Sequence, residues 1–591
     1  MTVSKEYVRD GRAPIPKKAI TSKIMSNIRA KNTKPEVLLR KALIKAGLKS
    51  YKIHYKKIPG KPDICYVNTK LAIFVNGCFW HRCPICKPKL PKTHKVFWKN
   101  KFKKNVERDK RKINELLKMG WAVMVVWECE IINNTDTIVK RIKAMLEYDK
   151  TDPVSIEKYA KKLVGQTLDE AISGTILSAM NKEDKGTFGH ILETCYFGIN
   201  PGNSQNPDFK EAGVELKSTP LKMTKKGLVS KERLVMNMID YMKLENETWE
   251  TSSFLKKNAL LLLVLYLHEK GRKSVLDYMI KAVGLWKYSA EDLKIMRDDW
   301  LKIQKMVKEG KAHELSEGDT FYLGACRKGH KEGPRKQPKS EIGAKQRAFS
   351  LKQRYVNEMI NALLKREQSG IPEKIVKSVK EYSSGQTFED FITSKFIPYY
   401  GMTQEEIACL LAIDLNKETK NANDIISRNI LGVKKKNIEE FEKAGVTMRS
   451  IVLESTGKLI ESISFPTFEY TELVKEKSWE SSSIKAQYDK KFFFVIYKRN
   501  NKNEKVLKKA IFWNMPYKDL IEAKKVWKET ILRIKADKCD NLPKITDNPV
   551  AHVRPHAQNK KDTFITPSGK KCVKKCFWLN AKYIQSQLGP I

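Results

Sequence analysis

The apolar positions of this chain fall into short runs bounded by turn residues, with helix-spaced segments between them. Leu71-Ala-Ile-Phe-Val75 and the run from Ala259 to Leu267 have the length of buried strands. Ala212-Gly213 predicts a tight turn into a strand beginning at Val214, and residues two apart on a strand share a face, so Glu215 and Lys217 project together. Thr33-Lys-Pro-Glu36 places a cap, an early proline and an acid in the first turn of a helix that carries Val37 to Leu43. Further helices are predicted to start at Ser22, over 135–148 and over 290–309. Residues 1–21 show no periodicity and read as a basic arm, and 366–381 reads as a linker with a short helix. The mixture predicts an α/β protein divided at 22–150, 151–365 and 382–591.

The third of these segments repeats the second. Gly165-Gln-Thr-Leu-Asp-Glu returns as Gly385-Gln-Thr-Phe-Glu-Asp, and Ala212-Gly-Val-Glu-Leu-Lys-Ser as Ala444-Gly-Val-Thr-Met-Arg-Ser. Trp249-Glu-Thr-Ser-Ser returns as Trp479-Glu-Ser-Ser-Ser, and Phe349-Ser-Leu-Lys as Phe577-Trp-Leu-Asn. Such self-similarity means two copies of one fold. In the second copy Asp208 becomes Glu440, Glu215 becomes Thr447, Lys217 becomes Arg449, Glu193 becomes Ser427 and Lys257 becomes Gln487.

Composition narrows the partner. The 591 residues carry 114 Lys+Arg against 68 Asp+Glu, a net charge of +46 spread along the chain, which points to nucleic acid. Eleven tryptophans and 41% hydrophobic residues favour a large folded protein over a basic structural one. The N-terminus lacks an apolar core and the run from Ala259 to Leu267 is too short to span a bilayer, so the expectation is a cytoplasmic, nucleoid-associated, prokaryotic-type protein with no membrane. Eleven scattered cysteines predict reduced thiols, some bound to metal.

The chemistry is expected first at Asn206 to Ser218. Asp208 and Glu215 offer two carboxylates to a Mg²⁺ ion, and the Lys217 ammonium can steady charge developing on phosphorus. On spacing alone the stretch reads equally as a hairpin with a solvated charged edge. Its context extends the pattern: Gly186-Thr-Phe-Gly-His-Ile-Leu-Glu193, Tyr196-Phe-Gly-Ile, Pro207-Asp-Phe, Gly213-Val-Glu-Leu-Lys217, and Trp249-Glu-Thr-Ser-Ser with Lys256-Lys257. Over about residues 155 to 365 this series resembles the catalytic domain of the MutH family, and most closely its GATC-cutting restriction-enzyme relatives. The resemblance implies that Asp208 and Glu215 bind the metal, Lys217 is the catalytic lysine, Glu193 is an accessory acid and Lys257 reaches the site from a later segment. It also implies that the hairpin and loop carrying Lys328, Arg347, Ser350 and Lys352 read base edges.

Nearer the N-terminus, Asn76-Gly-Cys78-Phe-Trp-His81-Arg-Cys83-Pro-Ile-Cys86 places three cysteines in one loop, and Cys129 ends a later strand, so four thiolates can close a structural zinc site. With Pro62-Asp63, Phe97-Trp98 and Asn105-Val-Glu-Arg-Asp109, the stretch from about 22 to 135 resembles the very-short-patch-repair (Vsr) endonucleases. By that resemblance Asp63 is the Mg²⁺ ligand, His81 the general base, Glu36 and Asp109 supporting acids, and Phe79 and Trp80 wedges that enter the base stack at a mismatch. Asn76 departs from family members that carry a histidine beside the metal, and the zinc ligands are all cysteine here.

Together the resemblances imply three restriction-endonuclease-like nuclease folds. One is Vsr-like with structural zinc, one MutH-like and cutting, and one MutH-like and degenerate, a DNA-binding copy retaining Arg554, His556 and the basic run Lys570 to Lys575. Cys572 and Cys576 read as structural. The expected activity is Mg²⁺-dependent cleavage of double-stranded DNA at a GATC-like site, with a fused T:G nickase and a cognate methyltransferase, acting as a monomer or a DNA-induced dimer. A mismatch-repair nickase and a non-catalytic DNA-binding protein are the rival readings.

Overall fold

The computed structural model describes residues 31–172, 185–199, 205–225, 227–269, 271, 274–329, 333–364, 372–415 and 421–591. The basic arm 1–21 and the start of the helix expected at Ser22 lie outside them. The chain divides into two compact units, one of residues 1–231 with 257–286, the other of 232–256 with 287–591. This division cuts through the segment 151–365 expected as one domain.

In the first unit, helix α1 (Lys34–Lys45) begins as the Thr33-Pro35-Glu36 signal predicts. A four-stranded sheet follows in the order β1 (Lys52–Ile53), β2 (Ile64–Tyr66), β3 (Leu71–Asn76), β4 (Ala122–Trp127). β3 and β4 run parallel, joined through helix α2 (Lys95–Lys118). Alternation along β3 sends Leu71 and Ile73 into one core with Leu39 and Leu43 of α1, and Ala72 into another with Ile113 and Leu116 of α2. Helix α3 (Glu128–Glu147) starts earlier than the expected 135–148 and is broken at Asn134, whose φ of −142° and ψ of 42° are non-helical.

The second sheet of this unit has the order β6 (Gly227–Ser230), β5 (Val214–Thr224), β7 (Leu260–Leu267), β8 (Ile280–Lys287). β5 and β7 are parallel, with Glu215 opposite Leu261 and Lys217 opposite Leu263. Helix α4 (Lys185–Ile191) contributes Phe188 and Ile191 to the core beneath them.

In the second unit, Leu234–Met238 and β9 (Leu323–Arg327) flank β10 (Arg347–Leu351), all antiparallel. Helix α5 (Ala290–Lys308) packs there through Ile295, Trp300 and Ile303. The repeat appears as a second sheet, β11 (Thr447–Leu453) parallel to β12 (Phe492–Arg499), which pairs antiparallel with β13 (Lys505–Trp513). Thr447 stands opposite Phe492 and Arg449 opposite Phe494. Matching Val264 and Tyr266 to Val495 and Tyr497 then sets Glu215 against Thr447 and Lys217 against Arg449, the pairing expected from sequence. Cys572 is bonded to Cys539, which corrects the expectation of reduced thiols throughout: 33 residues of sequence separate partners that the fold brings together. Cys576 is buried and unbonded.

Candidate functional site

The first acidic centre is built by a turn. Phe209 N donates to Val214 O at 2.9 Å, and Val214 N donates back to Phe209 O at 3.2 Å. Gly213 takes a φ of +67°, a left-handed value that costs glycine nothing sterically. The reversal sets Asp208 against the start of β5, where its Oδ2 accepts from Leu216 N at 3.0 Å and its backbone N donates to Glu215 Oε2 at 3.1 Å. Lys217, on the same strand face as Glu215, places Nζ 2.7 Å from Glu215 Oε1. Because β7 runs parallel to β5, residues just ahead of β7 arrive beside the same strand end, and Lys257 Nζ lies 3.6 Å from that oxygen.

Glu193 comes from a π-helical turn, Leu192–Tyr196, that continues α4 and re-aims the chain by one residue. Burial pushes its carboxyl up to about 7, Asp208 and Glu215 push the same way, and Lys217 and Lys257 oppose them. Glu215, only 2% exposed, is also raised by burial, with Lys217 opposing. Three carboxyl groups thus face two ammonium groups in a desolvated pocket that is short of positive charge. An all-oxygen donor set with that deficit fits a hard divalent cation such as Mg²⁺.

The second centre lies on the first sheet. Asp63, just before β2, accepts from Val75 N through Oδ2 at 2.8 Å. Burial raises its carboxyl to about 6; that bond lowers it, the Glu36 charge raises it, and His54 and His81 lower it. His81 Nδ1 lies 2.5 Å from Asp109 Oδ2, so Asp109 fixes the ring and leaves the other nitrogen for proton work. Glu36 caps its own helix, accepting from Asn32 N at 3.0 Å and Thr33 Oγ1 at 2.8 Å, while Oε2 also faces His54. The donors of Glu36, His54 and Asp63 lie within 4.8 Å of one another. Two carboxylates and an imidazole fit a divalent cation. Sequence reasoning passed over His54, which has no periodic or motif signal beyond standing nine residues before Asp63.

Cys78, Cys83, Cys86 and Cys129 converge, with their sulfurs within 4.8 Å and Cys83 Sγ 3.7 Å from Cys129 Sγ. A tetrahedral zinc–thiolate site with bonds of roughly 2.3 Å has sulfur–sulfur edges of about 3.8 Å, which the Cys83–Cys129 spacing matches. Phe79 and Trp80 are half-buried and pack edge-on to each other beside Trp98, with Phe79 also on Phe102. They form part of an aromatic cluster at the loop.

Three of the expected base-reading residues are corrected. Arg347 is 4% exposed and donates to Ala325 O and Leu315 O; Lys352 is 6% exposed and donates to Thr320 O; Ser350 is fully buried beside Gly324 O. β10 is the central strand of its sheet, so its polar side chains bond carbonyls of the neighbouring β9 and of the loop before it instead of solvent. Lys328 is exposed at the end of β9. In the second copy Arg554 is exposed over Trp578 at 3.8 Å, with His556 also exposed against the same ring.

Two family descriptions match the chain: "DNA mismatch endonuclease Vsr" over residues 14–86 and "DNA mismatch repair enzyme MutH" over 197–299. The type II restriction enzyme Sau3AI of Staphylococcus aureus is 33% identical over 489 residues, 73% of this chain and 98% of that enzyme. The type II nicking enzyme V.NmeAIP of Neisseria meningitidis is 45% identical over 110 residues, 19% of this chain and 78% of its own length. The DNA mismatch endonuclease Vsr of Escherichia coli is 39% identical over 119 residues, 20% of this chain and 76% of that protein. Two acidic centres on two sheets, each in a stretch matched by an endonuclease family, make this chain a DNA endonuclease that belongs to the Sau3AI family of type II restriction enzymes and carries a Vsr-type endonuclease region in addition.

Proposed function

We propose that this protein cuts double-stranded DNA at a GATC-like site through the Asp208 centre and nicks T:G mismatches through the Asp63 centre. The observation that carries the first half is the convergence of Asp208, Glu215, Lys217 and Lys257 within hydrogen-bond or ion-pair reach at one strand end. Asp208 and Glu215 would hold Mg²⁺, with Glu193 as accessory acid. Bound there, Mg²⁺ would supply a Lewis acid that polarises the scissile phosphate. Lys217, now on Glu215, is positioned to stabilise negative charge on the phosphoryl oxygens, and Lys257 to hold the acidic cluster in register.

At the other centre Asp63 would hold the metal, and His81, oriented by Asp109, would take a proton from the attacking water. The four cysteines would bind zinc and fix the loop carrying His81. The second MutH-like copy would bind DNA without cutting. We divide the chain functionally at 22–150, 151–365 and 382–591, with 366–381 as linker.

The pairing of activities has a chemical rationale. If a cognate methyltransferase protects the sites by 5-methylation of cytosine, deamination leaves thymine opposite guanine inside them, and the Vsr-type region would begin that repair. The reading is tested with purified protein and unmethylated plasmid. Mg²⁺-dependent linearisation with uniform ends 5′ to the guanine of GATC is expected, abolished in Asp208→Ala. That variant should still nick a duplex carrying one T:G mismatch, unless Asp63→Ala is added. Cleavage that requires added repair proteins would favour a mismatch-repair nickase instead.

A further inference from the structure

His54 is held where a loop residue would not rest by itself. Its φ is +46°, and Lys61, at the other end of the same loop, lies at +52°. Left-handed backbone at non-glycine residues is uncommon and persists only where surroundings impose it. The surroundings here are specific: His54 N donates to Asp63 O at 3.3 Å, and Tyr55 N to Pro62 O at 3.3 Å, closing the loop onto β2. Gly60 lies at +79°, and a Cβ there would come within 2.9 Å of the Phe74 ring, so the loop tip is seated against β3. The loop therefore pins the backbone of His54 to that of Asp63.

The imidazole so placed faces both acids of the centre. Nδ1 is 3.6 Å from Asp63 Oδ1, Nε2 is 3.6 Å from Glu36 Oε2, and Nε2 is buried without a hydrogen-bond partner. A cation takes only one imidazole nitrogen, and one donor atom from each of Glu36, His54 and Asp63 lies within 4.8 Å of the others, a span close to the about 4.2 Å between opposite octahedral ligands about 2.1 Å from a cation. Asn76, 6% exposed, offers no imidazole on the β3 side.

We propose that His54 is a nitrogen ligand to the catalytic cation of the Vsr-type centre, completing a Glu36–His54–Asp63 set. The inference rests on the proposed metal dependence of that centre. Two carboxylates with one imidazole bind Mn²⁺ more strongly than Mg²⁺, because imidazole suits transition ions and Mg²⁺ selects oxygen. The groups that meet at the Asp208 centre among the described residues are carboxylates and ammonium groups, so the two centres of one chain would differ in metal preference.

The test is pulsed electron paramagnetic resonance of the full-length protein loaded with Mn²⁺. A directly bonded ¹⁴N coupling is expected in the wild type, lost in His54→Asn and retained in His81→Gln. Asparagine tolerates the positive φ, and plasmid cleavage at the Asp208 centre reports that the variant is folded. Mn²⁺ affinity at this centre should fall about 10- to 100-fold in His54→Asn. Mn²⁺ binding that depends on Asp63 but lacks the coupling, or a coupling that survives His54→Asn, would overturn the ligand assignment alone. No Asp63-dependent Mn²⁺ binding would overturn both it and the metal dependence beneath it.

Discussion

The two repeated segments of the chain keep the same local scaffold around different chemistry. In the first, Val214 N bonds Phe209 O at 3.2 Å; in the second, Val446 N bonds Phe441 O at 3.0 Å. Ser252 and Ser482 each donate to the carbonyl of the tryptophan three residues earlier, at 2.7 and 2.8 Å. Arg347 sits in a central strand with its donors on the buried carbonyls of Ala325 and Leu315, and Lys575, its counterpart, gives Nζ to Cys539 O at 2.6 Å. Where the first copy has Glu215 buried between two lysines, the second has half-buried Thr447 and exposed Arg449. Glu440 keeps its carboxylate but accepts from Ile375 N and Val376 N at 2.9 to 3.1 Å. Turns, caps and buried cations survived because the fold needs them, while charge clustered in a desolvated pocket is costly and persists only where it has work to do.

The sharpest way to break this contrast is at the matched acids. Asp208→Ala should lower plasmid cleavage at least about a thousandfold, the scale of losing a preorganised charge-stabilising group. Glu440→Ala should leave the cleavage step intact and destabilise the second unit by roughly 1–3 kcal/mol, because two buried N–H groups lose their acceptor. Denaturant melts alongside cleavage rates would separate the two, and equal losses of activity would refute the assignment of chemistry to one copy.

Arg347→Met should cost about 3 kcal/mol or less in stability without relaxing the recognition sequence, since it leaves buried carbonyls unpaired. A changed sequence preference in a folded variant would return Arg347 to the base-reading group.

Acid should distinguish the copies more mildly. Glu193, raised to about 7 from an ordinary value of 4.5, binds a proton in the folded metal-free protein between those values while the unfolded chain does not. Its contribution to folding is therefore full below about pH 4.5, declines between there and 7, and is lost above about pH 7. A cation must displace that proton, so half-maximal cleavage at pH 6 should need about fivefold more Mg²⁺ than at pH 7. Glu193→Gln should flatten the dependence.

Smallest is Lys328→Ala, expected to weaken binding about equally for all sequences and to reduce the salt slope by about one.

Much of the candidate sites' geometry was legible in the sequence because it depends on short-range spacing. A strand fixes Glu215 and Lys217 on one face, a glycine turn returns Asp208 to them, and a loop gathers Cys78, Cys83 and Cys86. The repeat was legible for the same reason, since caps and turns are local signals. Tertiary structure alone decided what burial does to a side chain. Nothing local in Arg347, Ser350 and Lys352 separates a groove reader from a buried brace; the central place of their strand does. The loop closure that carries His54 to Asp63 and Glu36, and the pairing of Cys539 with Cys572, likewise depend on contacts between distant segments that no residue pattern within either one encodes.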